Sequence, residues 1–159
     1  MAVKAATLNI RAFVGDRRMT IVFDRGGWSP RLFQKLITDG FDMLTYRKGR
    51  TRKRLRWEFR EHRAVLDGRQ VVYQLADHDI RLLGGKLELR EVVRVLDDGC
   101  HQTQVVTSRR DLPAIGVRAY RGYFRRALVS GGRTRWPSVG HLATTTARNR
   151  VAARWPTTC

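Results

Sequence analysis

Few residues in the chain are arranged for chemistry, and the clearest is a single carboxylate. Asp24 ends the apolar run Thr20-Ile21-Val22-Phe23 and precedes the turn Arg25-Gly26-Gly27. Open α/β sheets place their chemistry just outside the carboxyl ends of strands, so an acid at this point is a candidate functional group. The competing role is local: an Asp that merely shapes its own turn. Asp77-His78-Asp79 has metal-ligand residue types. Consecutive side chains of an extended chain alternate faces, however, and Asp favours turns, so this triplet reads as a turn. His62, His101 and His141 are isolated, and Cys100 and Cys159 lack zinc-site spacing. No Ser-His-Asp or Cys-His arrangement can be assembled.

The densest functional signal is cationic. Arg47, Lys48, Arg50, Arg52, Lys53, Arg54 and Arg56 fall within ten residues, and Trp57 and Phe59 follow. Such a run is suited to phosphate-backbone contact, where each neutralised phosphate releases counterions and makes binding salt-dependent. A neighbouring aromatic side chain can stack on an unpaired base. The plain alternatives are a solvated charged face for the run and a core position for Trp57.

These residues need elements to position them. Thr20 to Phe23 reads as a strand. Ser29 is a good N-cap, Pro30 suits the first helical position, and Leu32, Phe33, Leu36 and Ile37 share one face of a helix closed by Gly40. Phe41 to Tyr46 reads as the next strand, which completes a strand-helix-strand unit. Thr7 to Phe13 is a short candidate strand before it. From about 57 to 108 the pattern alternates in short runs: Val71 to Leu75, Ile80 to Leu83, Lys86 to Leu96 and His101 to Thr107. Gly-rich and Asp-Gly turns between them predict an antiparallel meander. Asp111-Leu112-Pro113 opens a further helix with an apolar-aromatic face, and residues 129–159 have no persistent period and read as an irregular, disordered tail.

Composition bounds the partners. The 159 residues carry a net charge of +18 and 42% apolar residues, enough for a core. All 14 acidic residues precede Leu112, against 23 Lys and Arg there; residues 112–159 add nine Arg and no acid. A balance of this kind points to a polyanion, most simply nucleic acid. The basic residues do not form one amphipathic helix with a broad apolar face, and no stretch is long enough to span a bilayer, so a membrane partner is not expected. With no secretory apolar segment at the N-terminus, the expected location is cytoplasmic and nucleoid-associated.

Taken together, several stretches resemble insertion-sequence transposases of the DDE type, which have an RNase H-like catalytic core. They are Ile21 to Pro30, Gly40 to Gly49, Asp98 to Thr103, Val106 to Pro113 and Tyr120 to Arg125. The resemblance covers roughly residues 18–126. It implies an α/β (α+β) fold: a partial RNase H-like core over 1–56, a β-rich insertion over 57–108, a helix returning to the core over 109–128, and the tail. It implies that Asp24 is the second acid of the triad, a catalytic group and a ligand of Mg²⁺ or Mn²⁺. Three carboxylates in such enzymes hold two ions, one activating the attacking hydroxyl and the other stabilising the leaving oxygen. It implies DNA as partner, both transposon ends and target, with Arg47, Lys48, Arg50, Arg52, Lys53, Arg54, Arg56, Trp57, Arg121 and Arg125 as contacts.

Two departures shape the expectation for activity. No counterpart of the first acid precedes Asp24, since Asp16 is too close to it. Family members often read Arg-Trp-x-x-Glu where this chain reads Arg126-Ala127-Leu128-Val129-Ser130-Gly131-Gly132. A one-nucleotide shift, with permitted codons, converts the latter into Arg-Trp-Ser-Gln-Glu. The expectation is therefore an interior, decayed piece of a transposase with an out-of-frame tail. It would bind DNA without holding metal tightly or cleaving strands, and would be prone to self-association through an open sheet edge. The alternative is a small basic nucleic-acid-binding module without catalytic ancestry.

Overall fold

The computed structural model describes residues 18–49, 51–66 and 68–119. Strand β1 (Thr20–Phe23) leads through a short 3-10 turn, Arg25–Gly27, into helix α1 (Pro30–Thr38) and then β2 (Asp42–Tyr46). The strands β1 and β2 are parallel, with Thr20 opposite Asp42 and Phe23 opposite Thr45. This is the expected strand-helix-strand unit, and its local chemistry is visible. The Ser29 hydroxyl accepts from Leu32 N at 3.4 Å, and Pro30 stands at the helix start. The helix ends at Thr38, with Asp39 as its C-cap and Gly40 closing it as expected. Gly40 takes φ 80°, a conformation that a Cβ would disfavour.

Four longer strands follow: β3 (Arg60–Leu66), β4 (Arg69–Leu82), β5 (Leu87–Val95) and β6 (Gln102–Thr107). They form the expected antiparallel meander, and β6 pairs antiparallel with β2. One six-stranded sheet of order β1-β2-β6-β5-β4-β3 results. The fold is thus mixed α/β.

The sequence reading fails at Asp77-His78-Asp79. These residues continue β4 without a turn. The reason lies across the sheet. Asp77 meets the Arg90 guanidinium through two hydrogen bonds of 2.8 and 2.6 Å, Asp79 meets Arg110 at 2.5 Å, and His78 meets Glu91 at 2.7 Å. The cross-strand Asp77–Arg90 ion pair, the His78–Glu91 hydrogen bond and the Asp79–Arg110 ion pair outweigh a local turn preference that is weak on its own.

Strand alternation sorts the core into two faces. Met43, Val106, Leu89, Leu87 and Ile80 bury one face beneath Phe33 of α1, and Phe23 and Trp28 pack at its margin. Phe33 lies 5.8 Å from Phe23 and 5.4 Å, edge-on, from Trp28 between ring centroids. Full burial of Phe33 makes it a large contributor, about 3–5 kcal/mol by comparison with Phe-to-Ala truncations. Leu44, Val105, Val92, Leu75 and Ala64 bury the opposite face beneath Leu112, Ala114, Ile115 and Val117. Residues 114–119 are helical, as Asp111-Leu112-Pro113 predicts. Thr7 to Phe13, the helix beyond 119, and the tail lie outside the described residues.

Candidate nucleic-acid interface

Asp24 stands one residue past the end of β1 and is exposed. Its backbone carbonyl accepts from the Thr45 hydroxyl at 3.1 Å, which ties the strand end to β2. Its side chain accepts from Gly27 N at 3.1 Å and caps the 3-10 turn. Strand-end acid and turn-shaping Asp are therefore both true of this residue. The Gly-Gly pair has a steric cause: a Cβ on Gly27 would stand 2.9 Å from Phe23 Cδ1.

The basic segment leaves the same end of the sheet. It begins directly after β2, and Arg25 lies 6.0 Å over the Tyr46 ring beside it. Its residues divide into two groups. Arg47 and Arg54 are half-buried: Arg47 Nη1 donates to Glu91 Oε1 at 2.7 Å, and Arg54 Nη1 donates to Glu58 Oε1 at 3.1 Å. Arg54 also contacts His78 Nε2 and lies 3.7 Å from Glu91 Oε2. The Gln102 side chain accepts from Arg54 N and donates to Arg54 O, both at 2.8 Å. By contrast, Lys48, Arg52, Lys53 and Arg56 are exposed, Arg52 at 4.0 Å from Glu58. Trp57, in the 3-10 turn Arg56–Glu58, is 76% exposed and not a core residue. Its neighbour Phe59 takes the buried place instead, with Ala76, Val93 and Val95. Arg50, Arg121 and Arg125 lie outside the described residues.

Glu91 is the residue that sequence reasoning missed. Phe23, Thr45, Val106, Glu91 and His78 form one row across the sheet by register. The Glu91 side chain is 3% exposed. Burial pushes its carboxyl up, yet hydrogen bonds from His78 and Arg47 and the charge of Arg47 outweigh this and hold it below the ordinary Glu range. A signal was present. In the run Leu87, Leu89, Glu91, Val93, Val95, the acid occupies the inward phase of an alternating strand, and a buried carboxylate needs cations.

The donor set can be tested against a two-ion centre. Asp24 offers one exposed carboxylate, one of whose oxygens caps Gly27. Glu91 is enclosed by cations, and Asp42 lies at the opposite end of the β1–β2 pair. No group of three or more His, Cys, Asp or Glu side chains suited to a metal ion occurs among the described residues. The described carboxylates by themselves do not fit a three-carboxylate, two-ion site.

The described residues thus form a basic protein of mixed α/β fold with a strand-end acid and an exposed cationic segment. Comparison with known families gives the class. The family described as "Transposase protein" matches residues 4–127, and the chain belongs to that transposase family. A search of the curated proteins finds no match. No helix among the described residues is long and apolar enough to cross a membrane.

Proposed function

We propose that this chain is a transposase-derived DNA-binding protein of the DDE, RNase H-like type, with Asp24 at the second acidic position. The observation that carries the reading is that Asp24 and the start of the basic segment share one end of the β1–β2 pair, from which the segment runs across β6 and β5 with Lys48, Arg52, Lys53 and Arg56 exposed. Transposase membership supports DNA as the polyanion. The family's ion would be Mg²⁺ or Mn²⁺, for which one Asp is an incomplete ligand set. The reading is therefore DNA binding without strand cleavage by this chain alone. Trp57 stands ready to stack on an unpaired base.

The test is a titration of the full chain with short random-sequence duplex and single-stranded DNA across a salt series. The expected result is affinity that falls steeply with salt, with a slope of about −0.9 per neutralised phosphate on duplex. K53Q and R52Q should each lower that slope by about one. Salt-independent binding, or none, overturns the reading. Metal-dependent strand cleavage by the isolated chain overturns the part that denies it catalysis.

A further inference from the structure

Resting on that DNA-binding reading, we propose that Glu91 is a positioning residue for the basic segment. It is a buried anion that gathers Arg47, Arg54 and His78 and so holds residues 47–49 and 51–58 across the sheet with Lys48, Arg52, Lys53 and Trp57 displayed. The argument starts from repulsion. A segment with seven cations in ten residues repels itself and extends unless something counters the charge. Glu91 is placed to do so from beneath. Its two oxygens take Arg47 at 2.7 Å and His78 at 2.7 Å, and Arg54 lies 3.7 Å away. These partners come from three places: the exit of β2, the segment itself, and strand β4.

Glu58 and Gln102 add a second clamp on Arg54. Glu58 also accepts from Leu55 N at 2.5 Å, which closes the turn carrying Trp57. The basic run is thus two interleaved sets. Arg47 and Arg54 point inward as tethers, while Lys48, Arg52 and Lys53 are exposed. Tether and contact make different predictions, because tethers act through Glu91 and contacts do not.

The experiment uses the full chain and the variants E91Q, R54Q, R52Q and the double variants E91Q/R54Q and E91Q/R52Q. Limited trypsin digestion reads the segment without reference to DNA. Cleavage after Lys48, Arg52 and Lys53 should accelerate about tenfold in E91Q, with hydrogen exchange in β4 to β6 unchanged. In DNA titrations, R54Q and E91Q should be strongly non-additive, the double variant binding no worse than the weaker single. R52Q and E91Q should add. Should E91Q fail to fold, R47Q replaces it, since it leaves the carboxylate paired with Arg54 and His78. Unchanged proteolysis, or R54Q and E91Q effects that simply add, overturns the proposal. Wild-type binding that ignores salt instead overturns the DNA reading, and the proteolysis still decides the tether.

Discussion

Asp24 and Asp42 sit at opposite ends of the same two parallel strands, and they have opposite fates. Asp42 opens β2, is 8% exposed, and is enclosed. It accepts from Arg18 Nε at 2.5 Å and from the Ser108 hydroxyl at 3.0 Å, with Arg109 Nε 3.9 Å away. Arg109 in turn donates to both oxygens of Asp111 and to the Thr20 hydroxyl. Asp24, one residue past β1, is exposed, and among the described residues its carboxylate caps its own turn. The amino end of this unit is a locked ionic joint, whereas the carboxyl end leaves its acid displayed beside exposed cations. One end encloses its acid in ion pairs and the other leaves its acid exposed, which is the end where the proposed DNA contact lies.

The largest expected effect lies at the locked end. D42A removes the acceptor that Arg18 and Ser108 share, and leaves Arg109 with one carboxylate fewer. The Asp42 and Arg109 side chains are largely buried but Arg18 is 55% exposed, so the loss should be about 1–3 kcal/mol, most of it from the Ser108 and Arg109 groups that lose their acceptor. Thermal or urea unfolding should register this as a clear fall in midpoint. A D42A protein as stable as wild type would mean that the two ends do not differ as argued.

Acid sharpens the same contrast. Hydrogen bonds from Arg109 hold the Asp111 carboxyl down at about 2 against an ordinary 3.8. Glu91 is held down as well, by His78 and Arg47 against its burial. A depressed folded-state pKa contributes stability above the unfolded pKa and loses it as pH falls through the folded value. Melting temperature should therefore decline between about pH 4 and pH 2. D111N should flatten that decline, because it removes the Asp111 contribution at every pH. A decline in D111N as steep as in wild type would place the acid sensitivity elsewhere.

This contrast explains what was legible in the sequence. The strand-helix-strand unit was readable because its signals are local: Ser29 caps, Pro30 starts, and Leu32, Phe33, Leu36 and Ile37 repeat with helical period. The meander was readable from alternation and turns. Asp77-His78-Asp79 was misread because its partners Arg90, Arg110 and Glu91 are 13 to 31 positions away in the chain. The basic run was readable as charge, but its division into inward and exposed residues depends on Glu91, Glu58 and Gln102. Trp57 and Phe59 have similar local signatures, and only the packing of Phe59 on Val93 and Val95 decides which one is buried.

At the displayed end, substitutions should separate stability from binding. D24A loses one cap on a short exposed turn, so unfolding should shift by less than about 1 kcal/mol. If Asp24 were a core structural acid like Asp42, the loss would match D42A, and urea titration of the two variants side by side decides it.

The smallest expected effect on stability is that of W57A. A side chain 76% exposed contributes little to the fold, so the midpoint should stay within about 0.5 kcal/mol of wild type. Binding should respond differently by substrate. Stacking on an unpaired base is worth about 1–3 kcal/mol, so W57A should weaken single-stranded DNA about tenfold or more and leave duplex affinity nearly unchanged. Equal losses on both substrates would make Trp57 a general surface contact. A stability loss comparable to that of D42A would make it a packing residue, and the displayed end would then be no different in kind from the locked one.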